Sequence, residues 1–108
     1  MSAYYPGRID ARDHGMKRVL QQSTAFIRAA KRLVKRNPEV APLIRTTLVT
    51  LAEDAFDPVL RTHKLKGDLA GYWACSVGYD LRIVFSFVEH EGTETILLRT
   101  IGTHDDVY

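Results

Sequence analysis

The sequence predicts an α+β fold: a short N-terminal strand, a helical hairpin, then a three-stranded antiparallel meander, with the helices on one face of a small sheet. Three observations carry this expectation. Apolar residues recur at i, i+3, i+4 spacing in two adjacent segments. Beyond residue 71, aromatic and β-branched residues gather in short runs. Glycine-bearing turns separate those runs.

Residues 17–22 (KRVLQQ) read as the first strand. Ser23 or Thr24 then caps a helix, since a hydroxyl can accept from the unpaired N–H groups of the first turn. Phe26, Ala29, Ala30, Leu33 and Val34 form its buried stripe. Arg28, Lys31, Arg32, Lys35 and Arg36 fall opposite and read as a solvated face. Asn37-Pro38-Glu39 ends this helix and opens the next, with Asn as cap, Pro at the first helical position and an acid in the first turn. Val40, Leu43, Ile44, Leu48 and Leu51 make the second stripe. Residues 72–77, 81–89 and 94–101 read as strands, joined by turns at Gly78-Tyr79 and His90-Glu91-Gly92. Leu81, Ile83, Phe85 and Phe87 alternate toward the helices. Arg82, Val84, Ser86 and Val88 take the other face, which no remaining element is expected to cover.

At 108 residues the chain suits one domain over 16–108, preceded by a polar tail over 1–15 that Pro6, Gly7 and Gly15 interrupt. That tail has no apolar core of a secretory signal, and no run approaches the roughly 20 apolar residues of a membrane span. Cys75 is the single cysteine, so no intrachain disulfide can form; a reducing, cytoplasmic setting follows naturally. The net charge of +2 is mild, but the basic groups lie in separate clusters, which suits a phosphate-binding surface.

Two loop segments hold the chemically versatile side chains. One is Arg61-Thr62-His63-Lys64-Leu65-Lys66-Gly67; the other is Gly102-Thr103-His104-Asp105-Asp106-Val107-Tyr108. Asp80 adjoins the first hairpin turn and Arg82 projects from the strand after it. Metal-free RNA cleavage needs a base for the 2′-hydroxyl, charge stabilisation at phosphorus and an acid for the 5′-oxygen. Two histidines, a carboxylate, Arg and Lys meet those needs, and an aromatic ring can hold a base by stacking. Each residue also has a plainer role: loop histidines bonding backbone, a turn aspartate, surface arginines and a frayed terminal tyrosine. His63, His104, Asp80 and Asp105 are possible metal ligands, yet no close-spaced histidine pair is present, so no metal or other cofactor is expected.

The run HKLKGDLAGYWACSVGYDLRIVFSF, followed by ILLRTIGTHDDVY, resembles the YafQ-like branch of the RelE/ParE toxins over about residues 17–108. The pairing of H-x-L-x-G, Y-D-x-R-I-V and a terminal G-T-H-D-x-V-Y is fairly specific. The resemblance implies a ribosome-dependent mRNA endonuclease of a type II toxin–antitoxin system, in hetero-oligomeric complex with a cognate antitoxin. It implies that His63 and His104 share proton transfer, with His104 matching the main acid/base group and Asp80 assisting. It places Arg82 at phosphate and Tyr108 at the terminal aromatic; Lys64 and Lys66 are expected to meet phosphate charge beside them. Ala74 and Ser76 depart from the pattern, since some members carry an acid and a histidine there. The resemblance therefore leaves the orientation of the base unassigned. The rival readings are a gyrase-inhibiting toxin of the same superfamily, against which the histidine pair argues, and an inactive antitoxin-binding module.

Overall fold

A computed structural model describes residues 18–108. The tail expected over 1–15, the domain start at 16 and the first residue of the strand expected from 17 lie outside the described residues. Strands and α-helices follow in the order β1 (Val19–Gln22), α1 (Thr24–Arg36), α2 (Val40–Glu53), β2 (His63–Lys64), β3 (Trp73–Val77), β4 (Leu81–His90), β5 (Thr93–Thr103) and α3 (His104–Val107), with 3-10 turns at Pro58–Leu60 and Gly67–Leu69. The sheet has five strands in the order β1-β5-β4-β3-β2. The expected antiparallel meander is its centre, β3-β4-β5. β1 joins it in parallel beside β5, with Val19 opposite Thr95 and Gln22 opposite Leu98. β2 closes the far edge, His63 pairing with Ala74 and Lys64 with Trp73.

Ser23 is the cap of α1, its hydroxyl accepting from the Phe26 N–H at 3.0 Å. The start of α2 differs from expectation. Asn37 ends α1 by donating its N–H to the Leu33 carbonyl, and Pro38-Glu39 form a turn before the helix begins at Val40. The Asn37 side chain still accepts from Glu39 N–H, so the capping chemistry is present but serves that turn. Leu43, expected in the buried stripe, is 48% exposed. Thr47 and Ala52 take buried positions on this helix beside Ile44 and Leu51.

Phe26, Leu51, Ile83, Phe85, Ile96 and Leu98 are among the core side chains between helices and sheet. Burying each contributes roughly 1.5–3 kcal/mol. The turn at Glu91-Gly92 has two positive φ angles, 52° and 76°, as a two-residue hairpin requires. Along β5 the inward residues are Ile96, Leu98 and Ile101, a spacing of two and then three. The irregular step is a bulge: Val84 pairs with Thr100 while Phe85 pairs with Leu98, leaving Arg99 extra.

The face away from the helices is not left uncovered. α3 packs onto β4 and β5 on it, and the segment 65–72, which includes a single 3-10 turn at Gly67–Leu69, lies along its other margin. Ala74 and Val84, both on that face, are 0% and 1% exposed.

Candidate active site

Ladder partners project to the same side of a sheet. His63 on β2 therefore shares a face with Ala74, Val84 and Thr100, and Ser76, Arg82 and Gly102 form the next row. From Gly102 the chain turns into α3. Thr103 caps that short helix and Asp106 completes the box: the Thr103 hydroxyl accepts from Asp106 N–H, and the Asp106 carboxylate accepts from Thr103 N–H. This T-x-x-D signal was legible in the sequence but was not read as a helix start.

Gly102 explains how α3 lies so close. A Cβ there would fall 2.9 Å from the Asp106 Cβ and 3.2 Å from a Val107 methyl. Gly102→Ala should therefore lift α3 and cost about 1–3 kcal/mol by overpacking. Chemical denaturation measures that loss, and a parent-like midpoint would show that α3 can give way freely.

The terminal helix and the β2 edge meet at Tyr108. Its ring meets the His104 ring edge-to-face at 4.5 Å. It also lines a cleft of about 370 Å³ with His63, Leu65, Lys66, Asp68 and Leu69. Partial burial pushes the Tyr108 phenol above its ordinary pKa; the Arg82 charge pulls it back and Cys75 adds to the rise. The phenol thus stays protonated at neutral pH and can donate but not act as a base.

His63 Nδ1 lies 2.9 Å from the Arg61 carbonyl oxygen. A carbonyl only accepts, so Nδ1 carries the proton and Nε2 is the acceptor of the neutral ring. Arg61 itself has a left-handed backbone, φ 53°. His104 Nδ1 is 3.6 Å from the Asp105 carboxylate. Tyr108 thus shares a cleft with His63 and Lys66 and packs its ring against His104.

The remaining expected residues lie elsewhere. Asp80 and Arg82 line a neighbouring recess with Arg61 and Ser76. The Arg82 guanidinium donates to the Leu81 carbonyl at 2.9 Å, bracing the hairpin. Lys64 follows His63 on the strand and so takes the opposite face, where its ammonium sits 5.5 Å from the Trp73 ring centroid. It is not brought to the cleft, because successive strand residues alternate sides. Among the described residues, no three His, Cys, Asp or Glu side chains converge as an ion-binding group. The pairing of Arg99 with Tyr72 was not anticipated: the guanidinium donates to the Tyr72 hydroxyl at 2.8 Å. The two-then-three apolar spacing of β5 was the signal for the bulge that displays Arg99.

Cys75 has 0% exposure, and burial pushes its thiol up to about 12, opposed by a backbone hydrogen bond from Ile83 and the Arg82 charge. Raising a thiol's pKa removes its nucleophilic thiolate at neutral pH. Native protein should therefore resist iodoacetamide at pH 8 and react once unfolded; mass spectrometry reads the adduct, and rapid native labelling would contradict this burial.

The sheet order, helical hairpin and terminal helix give the fold shared by solved toxins of the RelE/ParE type. More narrowly, the chain belongs to the YafQ family: the model described as a bacterial toxin of type II toxin-antitoxin systems, YafQ, matches residues 18–108. No individually curated protein matches the sequence. Among solved structures, a metal-bound toxin from Helicobacter pylori is 27% identical at a TM-score of 0.66, covering 82% of this chain and 97% of that one. The E. coli DinJ-YafQ toxin-antitoxin complex gives 17% identity and a TM-score of 0.67, with 86% and 99% covered. A YoeB/ParE toxin from Agrobacterium tumefaciens gives 16% and 0.66, with 79% and 97% covered. These last two share the fold. No helix among the described residues is long and apolar enough to cross a membrane.

Proposed function

We propose that this toxin is a ribosome-dependent mRNA endonuclease that stops translation in the cytoplasm. The observation that carries the reading is the contact of His63 Nδ1 with the Arg61 carbonyl in a cleft shared with Tyr108, against whose ring His104 packs. His63 Nε2 takes the 2′-hydroxyl proton. The 2′-oxygen then attacks phosphorus, the bond to the 5′-oxygen breaks, and His104 returns a proton to that oxygen. The products are a 2′,3′-cyclic phosphate and a free 5′-hydroxyl. Lys66 meets the charge gathering on phosphate. Arg82 adds positive potential from the next recess, and Asp80 assists from the same place.

Ala74, directly opposite His63, offers no polar group to orient the imidazole. In this chain the Arg61 carbonyl supplies that orientation. The departure at Ala74 and Ser76 is thus compatible with a working base. Because the net charge is only +2, the domain relies on the ribosome to present the message. A cognate antitoxin, counterpart of DinJ in the E. coli complex, holds the toxin inactive as a hetero-oligomer.

Brief induction in cells followed by primer extension tests this reading. New cuts inside reading frames support it; DNA damage without cuts identifies a gyrase poison, and neither outcome identifies an inert module. No metal takes part in the proposed chemistry. Cleavage should persist in EDTA once ribosomes are kept intact by polyamines, and loss rescued by zinc or manganese at the toxin would overturn that point.

A further inference from the structure

A second cleft, of about 600 Å³, adjoins the one that holds His63. That volume falls within the roughly 300–1,000 Å³ typical of small-ligand sites. Its floor includes Ser86, Leu97 and Thr100, and Leu69 lines both clefts. Val107, the neighbour of Tyr108, lines the second cleft as well.

The β5 bulge sets this cleft's chemistry. One extra residue re-aims the strand, so Arg99 and Thr100 both line the cleft on the face away from the helices. The Arg99 backbone is anchored from the cap of α1, where the Ser23 hydroxyl donates to its carbonyl at 3.0 Å. Its guanidinium carbon lies 4.5 Å from the Tyr72 ring centroid, and Nη1 donates to the Tyr72 hydroxyl at 2.8 Å. The Asp106 carboxylate also lines the cleft, but it is engaged by the Thr103 N–H. Among the described residues the guanidinium's other donors have no partner and can meet an anion.

We propose that Tyr72 and Arg99 form a second nucleotide subsite, holding the RNA nucleotide adjacent to the one cut at His63 and His104. This rests on the nuclease reading above. A planar ring and a planar cation, braced against each other, suit single-stranded RNA: a base stacks on one and phosphate pairs with the other. The shared Leu69 wall lets one strand run from the first cleft into the second.

Two measurements test the subsite. In ribosome-programmed cleavage, Tyr72→Leu and Arg99→Gln should raise KM by ~5- to 150-fold while kcat stays within about threefold, because stacking contributes ~1–3 kcal/mol per base. Tyr72→Phe should stay near the parent. A merely structural clamp would instead lower thermal stability and the active fraction, leaving KM unchanged, and that result overturns the proposal. The second measurement does not require cutting. Fluorescence anisotropy at low salt follows a short labelled single-stranded RNA, protected by 2′-O-methyl groups, binding to the free toxin. Weaker binding by Tyr72→Leu and Arg99→Gln supports the subsite even if the parent never cleaves, an outcome that removes the nuclease reading alone. Equal binding by parent and variants, or none by the parent, overturns the subsite.

Discussion

The double variant His63→Ala, His104→Ala should lose growth inhibition and show a cleavage rate about 100- to 10,000-fold below the parent, the usual contribution of a proton-transfer group. Each single variant should fall nearly as far, since removing either half of a base–acid pair stops the same step and such effects do not add. His104→Ala is expected to be the more severe, as it also removes the ring against which Tyr108 packs. The fold should survive. His104 has a side chain 64% exposed, and His63 is also exposed, so neither contributes core packing. Circular dichroism and thermal melting check that point, and full toxicity in the double variant would falsify the catalytic assignment.

Tyr108→Ala is the second large effect. The ring has two roles here. It buttresses His104 at 4.5 Å, and it presents an aromatic surface, 41% exposed, in the His63 cleft. Losing a stacking platform reduces binding by ~5- to 150-fold. Tyr108→Phe keeps both ring contacts and should cut almost like the parent. The phenol's upward-shifted pKa runs against a role as base near neutrality. A chain ending at Val107 also loses the terminal N–H that bonds the His104 carbonyl at 3.1 Å, so it should be at least as damaged as Tyr108→Ala. Ribosome-dependent cleavage by the three variants decides the matter. Parent-like cutting by all of them removes Tyr108 from the site, and a Phe variant as poor as Ala makes the hydroxyl the active part.

Much of this was legible because hydrophobic period and turn chemistry are local. The stripe of α1, the alternation of β4 and the two-residue turn at Glu91-Gly92 are written in adjacent residues. What escaped is set by pairing over long sequence distances or by very short elements. β2 is two residues long, too short for any alternation to appear, yet its pairing with β3 decides that His63 and Lys64 face opposite ways. The placement of β1 beside β5 is a topological choice that no local pattern encodes. α3 has four residues and no apolar stripe; only its capping box announces it. The chemistry-bearing segments were found from residue type. Their assembly around Tyr108 depends on α3, as does the cover over a face expected to be open. The orientation of His63 came from a backbone carbonyl, which carries no signature in the sequence.

His63 and His104 are proposed to cleave translated message together. The direct measurement is primer extension on one transcript incubated with purified toxin, with and without ribosomes, beside the His63→Ala, His104→Ala variant. The account predicts cuts within the reading frame that require both ribosomes and the two histidines. Equal cutting of free RNA, or translation arrest with an intact transcript, would contradict it.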